Sequence, residues 1–242
     1  MEFGRVFLSA EWRNLVMLNY RVDPEILEQF VPRGTEIDSF QGHTYISIVG
    51  FQFLRTRLLG GLAIPFHANF DEVNLRFYVR RNEGQEVRRG VVFVKEIVPR
   101  TAIAAVARLA YGEKYIRCPM RHTVSMAAGA PSANYEWRLR GKWCVVGAKA
   151  AGAPILPAEE SLEQFITEHY WGYTRGRSGQ TVEYRVSHVP WKVWSAPKSH
   201  FESAGSAVFG PEFSDYLNKL ADSAFIADGS AVSVHFPRTL AL

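Results

Sequence analysis

The sequence predicts a β-rich α+β domain, an antiparallel barrel or cone with a few helices packed on it. Three observations lead there. Strand-like runs far outnumber helical ones, many are joined by short glycine-containing turns, and strands and helices do not alternate as a doubly wound α/β chain requires. No Pro/Ser/Gly linker and no internal repeat divides the 242 residues, so a single domain over 1–242 is expected.

In chain order, the first element is a helix over 23–32, with Asp23 as N-cap, Pro24 at its first turn and Pro32 as its stop. Strands follow over 44–53, 73–79 and 89–98. Between the last two, "NEGQEV" reads as a hairpin turn whose flanking pairs Arg80-Arg81 and Arg88-Arg89 solvate it. An alanine-rich helix is expected over 99–112, from Pro99 to Gly112, with Arg108 on its solvated side. Further strands are read over 121–129, 135–141 and 142–150. A third helix over 157–173 carries acidic residues in its first turn, where they suit the helix dipole. Strands at 181–189 and 192–201, a short helix over 211–223 and a strand at 230–236 complete the chain.

Composition narrows the function classes. A net charge of +4 without a long Lys/Arg run argues against a nucleic-acid partner. Cys118 and Cys144 are too few for a disulfide scaffold and lack zinc-site spacing, so they read as small buried residues. No basic segment with an apolar core opens the chain, and no apolar run reaches the roughly 18 residues of a membrane span. A cytoplasmic location without membrane association is therefore the default expectation. The seven histidines show no metal-binding spacing, His122 reads as structural, and no phosphate-binding loop or dinucleotide fingerprint is present. No metal and no cofactor are expected.

The most informative stretch is "NFDEVNLRFYVRR", residues 69–81. Val73, Leu75, Phe77 and Val79 alternate strictly with Glu72, Asn74, Arg76 and Tyr78, which gives a strand one apolar and one polar face. Two readings of the polar face stand side by side. It is a solvated surface, or a structural ion pair, or it is a ligand-facing wall where Arg76 grips a carboxylate through paired charge-assisted hydrogen bonds. "HYWGYTRGR" (169–177) and "SHVPW" (187–191), the latter with His188, have the aromatic and polar mix of a pocket rim.

Five stretches resemble a known family. They are "LVMLNYRVDPEILEQFVPRGTEIDSFQGHTYISIVGF", "FDEVNLRFYVR", "GVVFVKEIVPR", "ARLAYGEKYIRCPM" and "VSHVPWKVWSA". The chain is similar to the YqjF-like proteins of unknown function, relatives of acetoacetate decarboxylase in fold. The resemblance implies a β-cone whose closed interior forms the ligand pocket, with the strand holding Glu72 and Arg76 turned inward. Acetoacetate decarboxylases use a Schiff-base lysine in a Gly-x-Pro-Lys-Lys stretch, and the nearest match here is "AYGEKYIR". With Gly112 aligned to that glycine, Tyr115 takes the lysine's place; a one-residue slip puts Lys114 there. The double lysine is absent.

Two functions are carried forward. The first is binding of a small apolar or carboxylate-bearing molecule by Glu72, Asn74, Arg76, Tyr78, Tyr115 and His188. The second is a lyase or decarboxylase-like enzyme acting on a keto acid, with Lys114 as Schiff-base nucleophile and Glu72 as acid/base. Homo-oligomer formation through an exposed sheet edge is left open.

Overall fold

The computed structural model describes residues 4–63, 68–99, 114–127, 129–176, 179–203 and 208–241. The strands in chain order are β1 (Val6–Val22), β2 (Glu36–Ile37), β3 (Thr44–Leu58), β4 (Phe70–Glu83), β5 (Glu86–Val98), β6 (Tyr115–Arg117), β7 (Met120–Ser125) and β8 (Ser132–Leu139). They continue with β9 (Lys142–Lys149), β10 (Trp171–Arg175), β11 (Thr181–Ser187), β12 (Val193–Ser195), β13 (Lys198–Glu202), β14 (Ser223–His235) and β15 (Arg238–Thr239). The helices are short: α1 (Glu25–Glu28), α2 (Leu162–Thr167) and α3 (Ser214–Leu217), the last preceded by a 3-10 turn at Pro211–Phe213. No helix among the described residues is long and apolar enough to cross a membrane.

The larger sheet runs β14-β1-β3-β4-β5-β10-β11, and β11 pairs again with β14 through Val186↔Val234 and Ser187↔Ser233, so the path returns to its first strand. All these pairings are antiparallel except β5 with β10. A second sheet, β13-β9-β8-β7, packs against the outer face of the first. Val73, Leu75, Phe77 and Val79 of β4 are fully buried there with Tyr135, Trp137 and Val146 of the second sheet. The sheets approach closely at Gly50 on β3, where an added Cβ would sit 2.7 Å from the ring of Tyr135.

Bulges in β1, β3 and β5 reverse which alternate residues face inward, and β1 has a further irregularity between Val6 and Leu8 opposite β14. In β1 the extra residue lies at Asn14, where Arg13↔Gln52 is followed by Val16↔Gly50. In β3 it lies at Arg55, between the pairs Ser9↔Arg57 and Glu11↔Leu54. In β5 it is Val94, because Leu75 faces Lys95 while Arg76 faces Phe93. Asn14 and Arg55 adopt left-handed backbone, at φ 56° and φ 54°. The Asn14 bulge is pinned on both sides. Its side chain donates to Gln52 Oε1 at 2.8 Å, and its carbonyl accepts from Tyr135 Oη at 2.8 Å.

Several expectations are corrected. β1 is the longest described strand, yet the sequence reading places no strand before residue 44. The helix expected over 157–173 is confined to Leu162–Thr167, capped by Ser161 Oγ accepting from the Gln164 N–H. Its last expected residues, 171–173, begin β10 instead, because Trp171–Arg175 pairs with β11 over five residues. The helix over 23–32 shrinks to four residues, and that over 211–223 divides between the 3-10 turn, α3 and the start of β14. The strand read over 192–201 is two strands in different sheets, β12 and β13. The alanine-rich helix at 99–112, with Arg108, falls outside the described residues apart from Pro99.

The expected hairpin at 82–87 is present, with Glu83 paired to Glu86 across a two-residue turn. Its arginines divide. Arg80 and Arg89 are exposed, but Arg88 is buried and donates to the fully buried Glu183 at 3.1 Å. Arg81 reaches the same carboxylate at 3.5 Å, and Arg238 of β15 does so at 2.7 Å. A buried carboxylate with guanidinium partners keeps its charge compensated, so these arginines hold strands together rather than solvate a turn.

Candidate functional site: a cavity inside the main sheet

The inner face of the larger sheet surrounds a cavity of about 120 Å³. β4 is unbroken, so Phe70, Glu72, Asn74 and Arg76 all reach the wall at every second residue. In β5, Val91 and Phe93 face in; past the bulge Glu96 does so as well, directly opposite Asn74. β1 supplies Trp12 before its bulge and Leu15 after it. β3 supplies Phe51 and Phe53 before its bulge and Thr56 after it. One end is closed by Thr167 of α2, by His169 and Trp171 that follow it, and by His188 and Trp191 after β11.

The polar groups concentrate on β4 and its neighbours. Glu72, Asn74 and Arg76 are only 2%, 1% and 8% exposed. Asn74 Nδ2 donates to Glu72 Oε1 at 2.9 Å, and Tyr115 Oη donates to Glu72 Oε2 at 3.4 Å. Arg76 Nη2 donates to the Ile166 carbonyl at 3.1 Å, one of the carbonyls that the end of a short helix leaves without an intrahelical partner. Several buried polar atoms of the lining have no hydrogen-bond partner among the described residues: Asn74 Oδ1, Arg76 Nε, Trp12 Nε1 and Thr56 Oγ1. Such orphaned groups cost free energy unless something else satisfies them, and a ligand is one such partner.

Electrostatics follow from burial. Desolvation pushes the Glu72 carboxyl up to about 7, against the lowering pull of the Asn74 and Tyr115 hydrogen bonds and the Arg76 charge. Burial holds the His169 imidazole well below its ordinary range, helped by the positive charges of Arg76 and Arg89. His188 is lowered for the same first reason, with a smaller push from Arg76. The site therefore combines a carboxyl that gains or loses its proton near neutrality, a guanidinium and two neutral imidazoles in an apolar shell. Such a set can hold a polar head group and exchange a proton with it.

The candidate residues from the sequence are not all brought together. Glu72, Asn74, Arg76, Tyr115 and His188 line the cavity. His188 is half-buried and stacks on Trp191 with ring centroids 4.3 Å apart. Tyr78 shares the inward face of β4 but does not line the cavity. Its hydroxyl lies 2.5 Å from Ser47 Oγ, and its ring packs 4.7 Å from His169. Lys114 is exposed, with Nζ 5.0 Å from the Phe30 ring centroid, and no lysine lines the cavity among the described residues. His122 lies on the opposite side of β4, its Nδ1 2.9 Å from Asp71. Cys118 and Cys144 are both buried. No cluster of three or more His, Cys, Asp or Glu side chains suited to a metal ion occurs among the described residues.

Sequence reasoning missed Glu96, Thr56 and Trp12. Strict alternation in "VVFVKE" puts Lys95, not Glu96, beside Val91 and Phe93, and no local signal marks the extra residue. His169 was discernible only as part of the aromatic stretch 169–177.

Comparison with known proteins agrees with this architecture. A model of the family DUF2071, described as an uncharacterized conserved protein, matches residues 9–231. The uncharacterized protein YqjF of Bacillus subtilis (strain 168) is 26% identical over 195 residues, covering 80% of this chain and 77% of that protein. Among solved structures, acetoacetate decarboxylase from Legionella pneumophila subsp. pneumophila str. Philadelphia 1 superposes with a TM-score of 0.69 at 11% identity. The match covers 100% of this chain and 90% of that one. The enduracididine biosynthesis enzyme MppR complexed with pyruvate gives 0.70 at 16% identity, covering 100% and 92%. At these identities the likeness shows a shared acetoacetate decarboxylase-like fold.

Proposed function

The chain belongs to the DUF2071 family, and on that premise we propose that it binds a small molecule inside a cone formed by the closed path of strands. The ligand has an apolar body and one carboxylate or comparable polar head. One observation carries this reading: a largely aromatic cavity into which the buried Arg76 and Asn74 turn polar atoms that lack partners among the described residues. Apolar walls with a few convergent polar groups are the usual composition of a small-molecule site. The volume of about 120 Å³ suits a single ring or a short branched chain, being near the roughly 150 Å³ of a cavity that takes benzene.

The test is native mass spectrometry of the purified protein for a retained ligand, with calorimetric titration of benzoate and its neutral analogue benzamide. Arg76→Met is expected to weaken benzoate roughly 30-fold or more, the usual scale for truncating one partner of a buried charged hydrogen bond. Benzamide should change by only a few fold. Absence of any retained mass, together with no binding of either probe, would remove the reading.

A keto-acid lyase is the second reading, favoured by the fold shared with acetoacetate decarboxylase and with a protein that binds pyruvate. In its Schiff-base form it requires a lysine at the cavity, whereas Lys114 stands outside the lining. Borohydride treatment with acetoacetate or pyruvate is accordingly expected to leave the mass unchanged. A covalent adduct on Lys114 would reinstate the lyase.

A further inference from the structure

A row of polar residues crosses four strands of the larger sheet and ends at Arg76. Ser223 of β14 lies opposite Asn19 of β1, Asn19 opposite Ser47 of β3, and Ser47 opposite Arg76 of β4. Residues paired in this way share one face of a sheet. Asn19, Ser47 and Tyr78 are almost completely buried, and none of the three lines the cavity. Asn19 Nδ2 donates to Ser223 Oγ at 3.0 Å, and its Oδ1 accepts from Ser47 Oγ at 2.6 Å. With its one proton committed to Asn19, Ser47 Oγ accepts from Tyr78 Oη, 2.5 Å away. The row therefore turns aside at its last step: Ser47 takes the hydroxyl of Tyr78 rather than its direct neighbour Arg76. A buried chain of this kind is costly to break, because each member would leave the next without a partner.

What the chain holds in place is the Tyr78 ring. Arg76 Cζ lies 5.7 Å from its centroid, within the range of a cation–π contact, and the His169 and Phe165 rings pack on it at 4.7 and 5.2 Å. The same guanidinium donates through Nη2 to the Ile166 carbonyl, next to Phe165. Both contacts draw Arg76 towards α2, while the Glu72 oxygens on the other side of Asn74 accept from Asn74 and Tyr115. We propose that Asn19, Ser47 and Tyr78 are positioning residues for carboxylate recognition. Their hydrogen bonds fix the Tyr78 ring as a platform, and the platform aims the Arg76 fork at the cavity. The inference rests on the binding reading above and deepens it by assigning the origin of its selectivity for an anionic head. A guanidinium already fixed in its working direction loses little conformational freedom when a carboxylate arrives, whereas an unsupported one must be immobilised by the ligand itself.

The experiment is calorimetric titration of benzoate and benzamide into the purified protein and into Tyr78→Leu, Tyr78→Phe and Ser47→Ala, each also combined with Arg76→Met. Tyr78→Leu removes the platform and is expected to weaken benzoate about tenfold, the upper scale for immobilising one flexible side chain. Tyr78→Phe and Ser47→Ala keep the ring but release it, and about threefold is expected for each. Benzamide, which does not use the charge of Arg76, should change by less than about twofold throughout. With Arg76→Met already present, none of the three should weaken benzoate further, because no guanidinium is left to aim. Should Tyr78→Leu fail to fold, the two milder variants carry the same comparison. Equal losses of benzoate and benzamide would make the chain a structural support only and overturn the proposal. So would unchanged benzoate affinity in the variants, or the same loss of benzoate with and without Arg76. Failure of the unmodified protein to bind either probe would instead strike the binding reading, and this inference with it.

Discussion

Gly229→Ala is expected to lower the thermal midpoint by about 10 °C. Gly229 lies in β14 opposite Arg13 of β1 and adopts φ +78°, in the left-handed region. A Cβ there would fall 1.9 Å from the backbone oxygen of Trp12 and 2.8 Å from Leu15 Cδ1. The backbone strain alone costs about 1 kcal/mol. The clash adds about 1–3 kcal/mol, towards the upper end, because a strand oxygen cannot swing aside as a side chain does. For a chain of this size each kcal/mol moves the midpoint by about 2–4 °C. Gly42→Ala is the control: its φ is +80°, but nothing lies within 4 Å of an added Cβ, so only the strain remains. Calorimetric melts of both variants check this. Equal small shifts would show that β1 and β14 separate at no cost. Trp12 and Leu15 both line the cavity, so the same variant should also weaken ligand binding.

Glu72→Gln is expected to stabilise the unliganded protein at pH 8 and to do so far less at pH 5. Burial raises the Glu72 carboxyl from its ordinary 4.5 to about 7 in the folded state. Between those values the folded state holds more protons than the unfolded chain, so stability falls as pH rises through the window. Above it the full cost applies, up to about 3 kcal/mol at about 1.4 kcal/mol per pH unit. Glutamine carries no charge at either pH and escapes that loss. Urea unfolding of both proteins at pH 5 and pH 8 isolates Glu72, because other titrating groups cancel in the difference. A stability difference that stays constant between the two pH values would contradict the buried, partly protonated carboxyl.

The two variants probe different kinds of information. Glu72 and Arg76 were legible in the sequence because β4 keeps its alternation without interruption from Phe70 to Glu83. The polar face stands out, and the outward face announces itself as Val73, Leu75, Phe77 and Val79. β1 was not legible. Its inward residues are Leu8 and Trp12 before Asn14 but Leu15 and Met17 after it, so no single period of two runs through the strand. The helix expected over 157–173 failed for a related reason. Ser161 does cap a helix there, with Glu163 in its first turn, but Trp171 and Gly172 are held by pairing with Gly90 and Val91 of a strand about eighty residues earlier. Pairing partners that remote leave no trace in local propensity.

The strand-rich class, the hairpin at Gly84 and the two-faced character of β4 follow from local periods and turns, which neighbouring residues specify. That the polar face of β4 turns inward depends on contacts remote in the chain. The second sheet covers its apolar face, and the other lines the cavity. The tertiary structure alone also set Glu96 beside Asn74 and left Lys114 outside the cavity. A single extra residue in a strand exchanges its inner and outer sets, and whether it is accommodated depends on the partner strand rather than on the residues beside it.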